Sequence, residues 1–314
     1  MKRKIAKRLL SIIPVVLVVS TLVFFIIHLT PGSPADTILG EDATAEQIRA
    51  LERELGLDQP IVVQWFNWIV NLARGNIGNS LYYGTAVEEV ILNHVKPTVL
   101  LTVYAFVIAV VFGIAIGVFA AAFHNRLFDN ILMFFASIGV SLPVSWLGLV
   151  LMLTFSLRMG WFPVTGYVGP EEDLFRSFMS LTLPAFTLGI SPIARIARMT
   201  RANMLDVLKS DFIRTAKSKG AKQTSILFAH ALKNAFVPTL TVMGLSLANM
   251  MGGAVVTEQI FGIPGIGRLL IFGVFNRDYP VVQGIVLYIA LIYVAINLII
   301  DIIYVLIDPR ITYS

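Results

Sequence analysis

Apolar residues gather along this chain in six long blocks free of charged residues. Stretches of 18 or more residues without Lys, Arg, Asp or Glu fall at 9–35, 97–125, 130–157, 177–194, 234–257 and 279–300. A helix crossing a bilayer needs about 20 mostly apolar residues, and a charge at its centre costs about 2.5–3.5 kcal/mol on insertion scales. Each block therefore predicts one membrane-spanning helix. In the first block, Pro31-Gly32-Ser33-Pro34 must lie beyond the helix end. The fourth is the shortest, and its helix is expected to run past Arg195, with long basic side chains reaching for the interface. A seventh stretch, 59–73, carries Gln64, Trp65, Asn67 and Trp68 and reads as an amphipathic helix at the membrane surface.

Composition agrees with this pattern. Of 314 residues, 57% are hydrophobic and 14% charged, against about 25% charged in ordinary soluble domains. No cysteine is present, which removes disulfides, thiolate metal sites and cysteine nucleophiles. The basic residues set the orientation. With the N-terminus inside, the segments 1–8, 124–129, 195–233 and 308–314 are cytoplasmic and hold 16 of the 24 Lys and Arg. The carboxylates, 14 of 19 of which fall outside, concur. The opening MKRKIAKR with its apolar run reads as a retained signal anchor, since the run exceeds a typical signal core; a cut near Pro34-Ala35 is the alternative. The expected fold is all-α: an integral membrane protein of six transmembrane helices, both termini cytoplasmic, with a mostly helical extracytoplasmic segment between the first two.

The domain organisation follows: an anchor helix over 1–30, an extracytoplasmic segment over 31–96, a five-helix core over 97–307 and a tail over 308–314. In the outside segment, Thr44 with Gln47 forms a capping-box signature for a short helix that Gly56 ends, and Thr85 with Glu88 repeats it before 86–95. Inside, the loop 199–233 reads as a helix to Lys219, a terminating Gly220, and a second helix from about Thr224. Loops between bundle helices usually run about 2–8 residues. An ordered basic hairpin some 35 residues long is a place for a partner to dock.

Several motifs resemble a known family. Asp211-Phe-Ile-Arg-Thr-Ala-Lys-Ser-Lys-Gly220 and His230-Ala-Leu-Lys-Asn-Ala-Phe-Val-Pro238 are similar to the cytoplasmic signature of dipeptide/oligopeptide ABC importer permeases, a family that includes nickel and glutathione importers. The matches continue, in order, at Pro31-Gly-Ser-Pro-Ala35, Leu55-Gly-Leu-Asp-Gln-Pro60, Gly75-Asn-Ile-Gly-Asn-Ser-Leu81, Arg198-Met-Thr-Arg201, Phe261-Gly-Ile-Pro-Gly-Ile-Gly267, Arg277-Asp-Tyr-Pro280 and Asp308-Pro-Arg310. The outside segment resembles that of the first, B-type, permease subunit. Importer permeases at large carry Glu-Ala-Ala where this chain has Arg214-Thr215-Ala216, and here proline follows Gly220 by 18 residues instead of 13. Individual contacts therefore do not transfer from other importers.

The resemblance implies that Arg214, Thr215, Ala216, Lys217, Ser218, Lys219, Gly220, Ala221 and Lys222 form a coupling element seated in an ATPase subunit. Ala216 and Gly220, one helical turn apart, would permit close approach. Further implied partners are a second homologous permease, giving a heterodimer, two ATPase subunits and an extracytoplasmic substrate-binding protein, in a bacterial or archaeal plasma (inner) membrane; no nucleic acid is implied. The chain has no G-x-x-x-x-G-K-[ST] loop, so ATP and Mg are expected on the partner ATPases and no cofactor on this chain. No catalytic set or metal cluster is visible: the histidines at 28, 94, 124 and 230 divide two outside and two inside.

Neutral polar residues in the spans, Ser141, Ser145, Asn249 and Thr257, are candidates for lining the pathway, with helix–helix hydrogen bonding as the competing role. Gly262, Pro264, Gly265 and Gly267 are candidates for an outer gate. Pro143, Pro184, Pro192 and Pro238 are possible hinges or simple kinks. The expected substrate is a di- or oligopeptide, with a nickel chelate or glutathione as alternatives. An ion-coupled secondary transporter is the alternative from another class. It should show carboxylates or histidines deep in its spans, whereas Glu258 and Asp301 sit near opposite ends.

Overall fold

A computed structural model describes residues 2–29, 32–40 and 42–307, with side chains from residue 13 onward except at 301 and 304–307. Pro31, the basic side chains of 1–8, the side chain of Asp301 and the tail 308–314 with Asp308-Pro-Arg310 lie outside the described residues. The described residues form helices joined by turns and loops: α1 (Lys2–His28), α2 (Pro34–Leu39), α3 (Ala45–Glu54), α4 (Ile61–Ala73), α5 (Val87–Ala122), α6 (Leu127–Ser141) and α7 (Val144–Leu151), which runs on as a π-helical turn, Met152–Arg158. There follow α8 (Leu174–Leu208), α9 (Asp211–Ser218), α10 (Gln223–Ser225), a second π-helical stretch over Ile226–Leu232 continuing into α11 (Lys233–Phe261), α12 (Ile266–Phe275) and α13 (Tyr279–Ile307). Extended pairing among the described residues is limited to one isolated bridge, Asn79 with Ala86.

Among the described residues, four helices are long and apolar enough to cross a membrane: Val87–Ala122, Leu174–Leu208, Gln223–Phe261 and Tyr279–Ile300. The first apolar block is helical as expected, up to His28 at the end of the 27-residue α1. The third block departs from expectation. Instead of one straight helix it forms two, Leu127–Ser141 and Val144–Arg158, bent by 107°. The cause is local. Pro143 has no N–H to give to the preceding turn, and its ring pushes the residue before it out of the helical region. Leu142 accordingly takes ψ 131° and Pro143 ψ 133°.

The chain divides into two compact units. One joins the residues up to Lys96 with Pro264–Val294. Its core packs Val87, Val90 and Ile91 of α5 against Ile266 and Leu269 of α12 and Val281 and Ile285 of α13.

 Ile266 and Leu269, both nearly inaccessible, are the α12 face of that core. Gly284 lets α13 come close: a Cβ there would lie 2.6 Å from Val87 Cγ1. In the same unit α4 lies on α1, where Trp65 Nε1–H donates to Thr21 Oγ1 at 3.3 Å and Trp68 packs on Phe24. The Thr44–Gln47 capping box forms reciprocally, with bonds of 3.3 and 2.9 Å, and Gly56 ends α3 at φ +70°. The second box does not form as expected. Glu88 accepts from Ile77 N–H at 3.1 Å instead, and α5 begins at Val87.

The other unit holds Pro97–Ile263 and the chain from Ala295. Its axis is α8, 35 residues without a break despite Pro184 and Pro192, opened by Asp173, which caps Arg176 N–H at 3.0 Å. Glycines of α5 bring the two backbones together. A Cβ at Gly113 would meet Ile196 at 2.8 Å, and one at Gly117 would meet Thr200 at 2.5 Å. The bent pair climbs α8 from its C-terminal part toward its start. Asp129 meets Arg201, Gly139 faces Ile190 and Ala194, and Gly148 faces Thr187. On another side of α8, α11 is held by Asn203 Nδ2–H donating to Thr239 Oγ1 at 3.1 Å.

Candidate functional site

The basic hairpin is built on a small apolar base. Ile213 of α9, fully buried, packs with Met204 of α8, Val118 and Ala121 of α5, and Ile226 and Leu227 of the π-helical stretch. That anchoring leaves one face of α9 bare. Phe212, Arg214, Thr215, Lys217, Ser218, Lys219, Gly220 and Lys222 are exposed, while Ala216 and Ala221 are partly covered. The helix does not run unbroken from α8 to Lys219 as expected. It stops at Leu208 and restarts at Asp211, so α9 is a separate element.

Gly220 closes α9 with a double bond pattern. Its N–H donates to Lys217 O at 2.9 Å, and Ala221 N–H donates to Ala216 O at 3.1 Å. This arrangement needs a left-handed residue, which glycine supplies without a Cβ penalty, and Gly220 has φ +78°. A Cβ at Gly220 would meet nothing within 4 Å. The pair Arg214–Asp211, 2.6 Å apart, is 76% and 87% exposed and adds little to stability.

Behind the hairpin lies an ion pair that sequence reasoning missed. Arg201 Nε and Nη2 donate to Asp129 Oδ1 and Oδ2 at 2.6 and 2.7 Å. Asn125 N–H, from a residue at φ +61°, adds a third bond to Oδ2 at 3.2 Å, and His124 Nδ1 lies 3.4 Å from the same oxygen. The carboxylate is 1% exposed. One charge pair thus ties the α5–α6 turn to α8. Arg201 was visible within a motif, but nothing local pointed to a partner 72 positions away.

Three other motifs meet around Asp278. Its carboxylate accepts from the Ser80 hydroxyl, from Leu81 and Tyr82 N–H at 3.2 Å each, and from Val281 N–H at 3.4 Å. Tyr279 Oη donates to Gly32 O at 3.4 Å. Segments near residues 32, 80 and 278 are therefore pinned together. Nearby, burial pushes the Tyr83 phenol above its ordinary pKa, with Tyr82 and Asp278 adding to the shift.

The pathway candidates scatter. Ser141 and Ser145 flank the Pro143 bend and are exposed, with Ser141 Oγ donating back to Ser137 O at 3.0 Å. Asn249 is exposed on α11. Thr257 is fully buried and donates to Gly253 O of its own helix at 3.3 Å. Beside it, Glu258 is also fully buried and accepts from Thr98 Oγ1–H at 2.6 Å. Of the gate candidates, Gly262 ends α11 at φ +66°, Pro264 is exposed, Gly265 caps α12 and Gly267 is buried within it. Among the described residues no three His, Asp or Glu side chains gather to hold a metal ion.

Long apolar helices, one pair of them bent, together with a short capped helix that exposes a basic face, are features of a membrane transport subunit. Its fold is that of a chain from the structure described as "Inward facing conformations of the MetNI methionine ABC transporter", with a TM-score of 0.58 at 15% identity over 70% of this chain and 97% of that one. Residues 113–313 match the family described as "Binding-protein-dependent transport system inner membrane component", and residues 1–88 match its N-terminal counterpart. The chain belongs to this family and is a permease subunit of an ABC transporter.

Relatives align with it end to end. The "Probable peptide ABC transporter permease protein y4tP" of Sinorhizobium fredii is 43% identical over 98% of this chain and 99% of the relative. The "Dipeptide transport system permease protein DppB" of Alkalihalophilus pseudofirmus is 42% identical over 98% of each. The "Glutathione transport system permease protein GsiC" of Salmonella typhi is 41% identical over 99% of each.

Proposed function

We propose that this chain forms half of the translocation pathway of an ATP-driven importer of di- and oligopeptides, in the plasma membrane of a bacterium or archaeon. The observation that carries the substrate class is end-to-end similarity, above 40% identity, to permeases named for peptide and dipeptide transport. A glutathione permease is nearly as similar, so glutathione, itself a small peptide, is the second reading. A second, homologous permease completes the pathway. An extracytoplasmic binding protein delivers substrate, and two ATPase subunits hold ATP and Mg. The chain is not itself an enzyme.

Six crossings, with both termini cytoplasmic, fit the charge distribution. The order of contacts along α8 supports a broken crossing for the bent pair. It starts level with Arg201 and reaches Thr187, 14 residues or about 21 Å along the helix axis. Residues 31–96 then lie outside, and 97–307 contain the crossings that follow.

In this reading the exposed face of α9, from Arg214 to Lys222, seats in a groove of an ATPase. Bare surface around Gly220 leaves room for close approach, and Lys217, Lys219 and Lys222 ring the contact. The exposed Ser141, Ser145 and Asn249 remain pathway candidates, and the turn from Gly262 to Gly267 an outer gate. The test is co-purification with the candidate ATPases, comparing wild type with Gly220→Trp. The expected result is retention by wild type and loss by a variant that still inserts in the membrane. Wild type purifying without any ATPase, together with peptide uptake that survives ATP depletion, would replace this reading with the secondary transporter.

A further inference from the structure

Arg195 stands out among the charged residues of the spans. It sits in α8, about 9 Å deeper than Arg201, six residues away along the helix. Arg201 is fully engaged by Asp129, whereas the buried Nε of Arg195 has no hydrogen-bond partner among the described residues. Ion pairing explains the one guanidinium and not the other.

Helical geometry shows which way the residue is turned. At 100° per residue, Ile193, Ile196, Ala197 and Thr200 form the α8 face against α5, where they meet Gly113 and Gly117. Ile190 and Ala194 face Gly139 of α6, and Arg201 reaches Asp129. Leu188 faces Gly253 and Asn203 faces Thr239, both in α11. Between the α6 and α11 faces lies a stripe at i, i+4, i+7 and i+11: Ser191, Arg195, Arg198 and Ala202, with Arg195 at its α11 edge, about 20° from Leu188. Arg198 and Ala202 are exposed, and Ser191 and Arg195 are partly buried. A stripe bearing two arginines is a poor lipid face, because ionisable side chains inside membranes turn toward the bundle interior or a water-filled path.

We propose that Arg195 binds the C-terminal carboxylate of the peptide in transit. The inference rests on the peptide reading above. A guanidinium stays charged and offers a planar fork of N–H donors that matches a carboxylate. The C-terminal carboxylate is the one anion common to peptides of every sequence, so a single such contact in the pathway reads "peptide" without reading side chains. The neutral Ser141, Ser145 and Asn249 cannot supply that charge.

The test uses the complete transporter in proteoliposomes with saturating binding protein, and a tripeptide supplied as free acid or C-terminal amide. Arg195→Gln is expected to lower the acid-to-amide uptake ratio by roughly tenfold or more, the size of a lost charged hydrogen bond. Because the chain has no cysteine, Arg195→Cys gives it a single thiol, and the partner subunits can be made cysteine-free. Modification by aminoethyl methanethiosulfonate, which restores a cation, should recover uptake of the acid. The sulfonatoethyl reagent, which installs an anion, should not. The inference is overturned if acid and amide lose uptake equally, if both reagents rescue, or if the thiol is unreactive because a partner subunit covers it. Failure of the wild-type transporter to carry any peptide overturns the peptide reading itself, and the role of Arg195 with it.

Discussion

Removing either half of the Asp129–Arg201 pair should destabilise the permease, and by unequal amounts. The Asp129 carboxylate is 1% exposed, whereas the Arg201 side chain is 25% exposed. Arg201→Gln strands a carboxylate that cannot reach water, for which the cost of breaking a buried pair, about 3–5 kcal/mol, applies. Asp129→Asn leaves an amide that still accepts one bond, and a guanidinium with partial access to solvent. Its expected cost is about 1–3 kcal/mol, that of an impaired charged hydrogen bond. The double variant should lose less than the sum of the two, with a coupling energy of about 1–3 kcal/mol, because its second change removes a partner already stranded. Reversible unfolding of the purified chain by a denaturing detergent, followed by loss of helicity, measures all three. Additive losses, or an Asp129→Asn penalty equal to or above that of Arg201→Gln, would refute the argument from burial.

Other perturbations separate packing from docking. Gly117→Ala puts a Cβ 2.5 Å from Thr200 Cβ and 2.7 Å from Ala197 O, so an overpacking cost of about 1–3 kcal/mol is expected in the same unfolding assay. Gly252→Ala in α11 meets nothing within 4 Å and should stabilise by up to about 1 kcal/mol through helix propensity. Asp278→Ala removes the acceptor for Ser80, Leu81 and Tyr82, and protease cleavage between residues 75 and 84 should accelerate roughly tenfold or more as those donors are orphaned. The raised Tyr83 pKa favours the protonated phenol in the folded state. That contribution is intact below about pH 10, the ordinary tyrosine value, and is lost as pH rises through the higher folded one. Tyr83→Phe should therefore lessen alkaline loss of stability in the same assay.

Much of the fold was legible because its signals are local. Charge-free length marked the long helices, Thr44 with Gln47 marked the start of α3, and Gly56 and Gly220 marked helix ends. What escaped depended on distant partners. The Thr85–Glu88 spacing is a capping signature, but Glu88 is drawn to Ile77 by the fold of the loop before it. Pro143 was recognised as a possible hinge, yet a charge-free window says nothing of direction, and a 107° bend leaves composition unchanged. Asp129 carries no local signal of its role, because its partner Arg201 lies 72 positions further along the chain. Thr257 is one of four neutral polar pathway candidates, and its burial, which the sequence does not show, separates it from the exposed Ser141, Ser145 and Asn249.

The Asp278 cradle also sets a problem of timing. Ser80 leaves the ribosome 198 residues before Asp278 does, an interval of about 10–40 s at ordinary rates of synthesis. Through that interval the backbone donors of Leu81 and Tyr82 have no carboxylate to meet, and Val87, Val90 and Ile91 lack the α12 and α13 side chains that later cover them. The loop before α5 must therefore wait, hydrated and open, while the rest of the bundle is inserted. Its final shape is a late event, made when the chain is nearly complete, and a polypeptide truncated before residue 278 would carry a full-length loop that can never close.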